Sequence, residues 1–139
     1  LAVYDERYAP ARAFGRAALR QGASVRRISG DITGLWYGEL YDRWRSAPFA
    51  LAGMTDRMAL FCLEQLARDA RMRVVYRMAH PQTEEAAPDW AAEAAQTLLA
   101  APLPTGAASG APALAESAAD EHTLFSWIIA PAPARARTV

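Results

Sequence analysis

Asp5, Asp31, Asp56 and His80 are the residues of this chain whose types could do chemistry together. Two or three carboxylates can hold a divalent metal through hard oxygen ligands, or act as acid and base beside an imidazole. Each of the four closes or follows an apolar stretch, and Thr33 and Thr55 stand next to two of them as further ligand-binding candidates. Asp31 and Asp56 equally suit helix N-caps, and Asp5 a turn, which would place them without any chemistry. No spacing among them is specific for a metal, and no HExxH or paired CxxC pattern occurs, so neither a metal nor a cofactor is expected.

Other chemistries find less. The amides of Gly30 to Gly34 precede a helix, a general place for an anion, but "SGDITG" lacks the GxGxxG spacing and Asp31 brings negative charge. Cys62 falls on the apolar side of a helix, where a small thiol is inert. Ser29, Ser46, Ser109, Ser117 and Ser126 lack a GxSxG turn. All 15 basic residues are arginine, and the absence of lysine removes Schiff-base chemistry and the Walker-type phosphate loop.

Those candidates need elements to position them. Leu1–Tyr4 reads as a strand ending at Asp5 and Glu6, and Pro10 opens a helix that stops at Gly22. Ser24–Ser29 is a short strand. "GDITG" is the turn that leaves it, with Asp31 or Thr33 as cap of a helix over Gly34–Arg45. "PFALAG" (Pro48–Gly53) reads as a buried strand, followed by a helix capped by Thr55 or Asp56 and running to about Ala70. "MRVVYRMA" is the next strand, closed by His80, and Pro88–Ala101 returns to helix. Thr123–Ala130 is the last strand.

Strand alternating with helix predicts an α/β fold: a small three-layer doubly wound domain, flavodoxin-like or Rossmann-like, with a mostly parallel sheet of four or five strands. Residues 1–130 form a single domain on this reading, with a mobile loop over 102–112 and an extended or disordered tail over 131–139. In a parallel sheet Asp5, Asp31, Asp56 and His80 share the carboxyl edge, where ligands bind, whereas His122 lies at the opposite edge.

A second feature competes with that edge. Trp36, Tyr37, Tyr41, Trp44 and Phe49 crowd into one segment, and helical periodicity puts the first four on one arc, flanked by Arg43 and Arg45. Packing accounts for part of such an arc. Its width exceeds what one helix buries, and aromatic residues with arginine are what interface cores favour. Arg12, Arg16 and Arg20 form a separate stripe, most simply a solvated helix face.

Two functions follow as expectations. The first is a non-catalytic binding or accessory domain that meets a protein partner, or a second copy, through Trp36, Tyr37, Tyr41, Trp44, Arg43 and Arg45. The alternative is a small hydrolase, with or without a metal, or a small-molecule-binding domain using Asp5, Asp31, Thr33, Thr55, Asp56 and His80, with Asp31, His80 and Asp56 as catalytic groups. Zero formal charge predicts no nucleic-acid partner, and the apolar runs are too short for a membrane span. The chain opens without a methionine on a strand-like stretch, so an exported or periplasmic location stands beside a cytoplasmic one.

Overall fold

The computed structural model describes residues 1–80, 89–99 and 123–131. Five strands, β1 (Ala2–Asp5), β2 (Val25–Ile28), β3 (Leu51–Asp56), β4 (Met72–His80) and β5 (Leu124–Pro131), form one sheet in the order β2-β1-β3-β5-β4. The helices are α1 (Ala9–Arg20), α2 (Thr33–Leu35), α3 (Tyr41–Ser46), α4 (Arg57–Asp69) and α5 (Asp89–Leu99), with a π-helical turn over Trp36–Leu40 between α2 and α3. The predicted loop 102–112, His122 and the tail beyond Pro131 lie outside the described residues.

The mostly parallel, doubly wound sheet is not what forms. β1 pairs in parallel with β2 and β3, but β5 runs antiparallel to both of its neighbours, and those two ladders are the longer ones. The sheet is therefore mixed, and the flavodoxin-like or Rossmann-like expectation is corrected to an α/β domain with a reversed strand wedged between β3 and β4. The reason is physical. A strand covered on both faces reads as a continuous apolar run whichever way it points, and β5 is buried from Leu124 to Ala130. Its entry point pairs with His80, so the edge at which β5 begins is the edge at which β4 ends. The parallel-sheet premise that set His122 apart from His80 falls with it.

Helices cover both faces, over two different cores. On one face α1 and α5 pack Ala11, Phe14, Ala17, Ala18, Ala91, Ala95 and Leu98 against Ala2, Ala52, Met54 and Ile128 of the sheet. We call this the alanine face. On the other, Leu35, Leu40, Trp44, Leu60 and Leu63 cover Val3, Leu51, Phe125, Trp127 and Ile129. This is the aromatic face. The Trp127 ring lies across Gly53, where a Cβ would come within 2.4 Å of it, so the central strand holds glycine to admit an indole.

Local signals fix most of the element ends. Pro10 sits in the first turn of α1, and Gly22, at φ +85°, ends it with the Ala23 N–H bonded to the Ala18 carbonyl. Asp56 caps α4, accepting from the Ala59 N–H at 2.9 Å, as its position predicts. β3 begins at Leu51, three residues later than the apolar run suggests.

Candidate functional site

The parallel part of the sheet carries the feature that matters most. β1 and β3 are neighbours, yet α1 leaves β1 onto the alanine face while α4 leaves β3 onto the aromatic face. Chains that diverge in this way open a crevice beyond the carboxyl ends of the two strands. Asp5 and Asp56 are the residues that end them.

Between the two carboxylates stands Arg7. Asp5 is fully buried and accepts from the Arg7 backbone N–H (3.1 Å), from Nε (3.1 Å to Oδ1) and from Nη2 (2.8 Å to Oδ2). The same Nη2 donates to Asp56 Oδ2 at 2.7 Å. The Asp5 hydrogen bond, ahead of every other influence, raises the guanidinium pKa further above its ordinary value. Tyr8 completes the group: its ring lies 5.1 Å below the guanidinium carbon, and its hydroxyl reaches Asp56 Oδ2 at 3.4 Å. Burial, then the Asp56 charge, pushes the phenol pKa up. Gly30 borders the guanidinium at φ +81°, and a Cβ there would meet it at 2.7 Å.

The structure thus brings Asp5 and Asp56 together but spends both. Asp56 caps α4 with Oδ1 and holds Arg7 with Oδ2, and Asp5 is saturated by a single arginine. The sequence alone did not reveal Arg7 or Tyr8. The signal was available: a charged residue two positions beyond a strand-ending aspartate can fold back onto it, as Arg7 does.

His80 and Asp56 flank Leu124 in one row of the sheet, two strand spacings apart, or roughly 10 Å. The imidazole Nε2 lies 2.7 Å from the buried Ser126 hydroxyl, and burial lowers its pKa to about 4, so it is neutral. Asp31 is exposed and turns inward on its own loop, accepting from the Thr33 N–H (2.9 Å) and hydroxyl (2.6 Å), bonds that lower its pKa. It makes an Asx-type turn rather than the cap itself. Thr55 is buried on the aromatic face, where it accepts from Trp127 Nε1 at 3.0 Å and donates to the Asp56 carbonyl. Asp31 and Thr33 therefore bond within their own loop, and Thr55 meets the cluster only through the Asp56 backbone carbonyl. Among the described residues no three His, Cys, Asp or Glu side chains gather as a metal would require.

The aromatic segment divides. Trp44 is 1% exposed and Trp36 half-buried, its ring edge-on to Trp44 at 6.1 Å and to Tyr41 at 5.7 Å. Tyr37 and Tyr41 face outward, 70% and 38% exposed. The π-helical turn explains the split. The Tyr41 N–H bonds the Trp36 carbonyl five residues back, a spacing that stacks Leu35 over Leu40 in the core and rotates Tyr37 away from it. Arg45 lies over the Tyr41 ring and donates to its hydroxyl at 2.7 Å. Arg43 lies over Phe49 and bonds Glu39, which also takes Arg26 of β2; the Arg26 bond above all lowers the Glu39 pKa.

No protein-family model, curated protein or solved structure matches this chain. No helix among the described residues is long and apolar enough to cross a membrane.

Proposed function

We propose that the chain is a non-catalytic binding domain that recognises a protein partner through the outward side of residues 36–46. The observation that carries this reading is the paired exposure of Tyr37 and Tyr41, with rings 6.3 Å apart and Arg45 fixed over one of them. Tyrosine and arginine dominate interface hot spots, because each offers a large contact area with few torsions to freeze. A regular helix would turn more of this arc toward the sheet, and π turns recur at functional positions. Trp36 and Trp44 support the two tyrosines from beneath, and Arg43 braces the segment through Glu39 and Phe49.

The hydrolase alternative draws little from the geometry. A general base needs an unspent lone pair within reach of substrate. Asp5 and Asp56 hold Arg7 instead, Asp31 bonds its own loop, and His80 stands across β5 from Asp56.

The test is a photo-crosslinking amino acid placed at position 37, with position 16 on the exposed side of α1 as control. A crosslinked species of defined mass at 37, absent at 16 and lost on Tyr41→Ser, is the expected result. Equal labelling at both positions would end the reading. Light scattering on the isolated chain then says whether the partner is a second copy.

A further inference from the structure

We propose that the crevice beyond β1 and β3 is a second, separate site, which takes a small uncharged ligand presenting a carbonyl-type oxygen to Nη1 of Arg7. Four observations converge on this arginine. The first is topological: α1 and α4 diverge to opposite faces at this pair of strands, which opens the place where α/β sheets hold ligands.

The second is the use made of Asp5. A wholly buried carboxylate is costly, and replacing a buried ion pair with apolar residues is often neutral or stabilising. Here the buried partner holds an arginine that is itself 44% exposed, an arrangement suited to fixing a guanidinium at the surface. Third, the guanidinium is only partly spent. Nε and Nη2 donate to the two aspartates, while Nη1 has no acceptor among the described residues. Fourth, Gly30 leaves one side of the guanidinium without a side chain, at a positive φ and a distance that any Cβ would close.

Charge chooses the ligand class. One guanidinium between two carboxylates leaves the cluster with a net negative charge, which disfavours phosphate or carboxylate. The unspent groups are N–H donors, so the incoming atom is an acceptor. An amide or similar carbonyl oxygen satisfies both conditions, and the Tyr8 ring offers it an apolar wall.

The experiment follows the Arg7 Nε–H resonance and the Gly30 amide by NMR during titration with N-acetylglycinamide, acetate and inorganic phosphate. For a fragment of this size, saturable shifts with the amide and a Kd on the order of 10 mM are expected, with acetate and phosphate weaker. Arg7→Lys keeps a cation between the aspartates but removes the open Nη1, and should abolish the Gly30 response. Gly30→Ala, which crowds the guanidinium, should abolish the Arg7 Nε–H response and serves if the first variant does not fold. A response that survives either folded variant overturns the proposal. So does stronger binding of either anion, or no saturable shift with the amide. Tyr37 and Tyr41 variants should leave the titration unchanged, which separates this site from the partner surface.

Discussion

The two faces of the sheet are built from different residues, and the contrast explains why one of them remains open. On the alanine face, small side chains let α1 lie directly along α5 and close over the strands. A Cβ on Gly15 of α1 would come within 2.5 Å of the Tyr4 ring, so helix and sheet are as near as their backbones permit. On the aromatic face, Trp44, Trp127 and Phe125 fill the space, and α3 and α4 do not pack along one another. Bulk in the core holds the covering helices apart. Tyr37 and Tyr41 on the helical segment, and Met58 and Phe61 on α4, remain exposed.

The sharpest way to break this contrast is Trp127→Ala. The indole is fully buried over Gly53 and bonded to Thr55, and its removal should cost about 3–5 kcal/mol, measured by denaturant unfolding. The opposite change belongs on the other face. Ala18→Leu puts bulk where α1 meets the sheet, and overpacking should cost about 1–3 kcal/mol. If the larger side chain were accepted there without loss, the claim of close packing on the alanine face would fail.

A graded, pH-dependent effect comes from His80, on the alanine-face side of the β4–β5 ladder. Its folded pKa of about 4 lies below the ordinary 6.5, so the unfolded chain takes up the proton first as pH falls. The stability tied to the neutral imidazole is complete above pH 6.5 and is lost progressively toward pH 4. Thermal unfolding across that range should have a slope that His80→Gln flattens. Smallest of all, Tyr37→Ser with Tyr41→Ser should change stability by no more than about 0.5 kcal/mol while removing partner crosslinking. A large loss of stability would instead make these tyrosines part of the core.

Much of this fold is legible wherever the signal is local. Pro10, Gly22 and the Asp56 cap set helix ends through bonds made within a few residues, and they form where expected. The direction of β5 is not local: it depends on which edge the chain returns to, and an apolar run such as "LFSWIIA" carries no record of that. The π-helical turn is hidden for a related reason. "WYGEL" satisfies helical periodicity, and only the sheet beneath decides that Leu35 and Leu40 must align. At the candidate site the aspartates are visible and their partner is not. Asp5 and Asp56 are distant in sequence, and Arg7 acquires its role only when β1 and β3 become neighbours.

The reversed strand has a consequence for the order of assembly. β5 is the final described element in sequence yet pairs between β3 and β4, so an interior strand of the sheet is supplied last. As the chain emerges during synthesis, β1, β2 and β3 can pair early, but β4 has no neighbour until residues 124–131 arrive. Until then β3 and β4 each present an unpaired apolar edge, the kind of surface that joins strands from other molecules. Loss of β5 would therefore do more than shorten the sheet. It would leave a slot between two strands, and another chain could fill it.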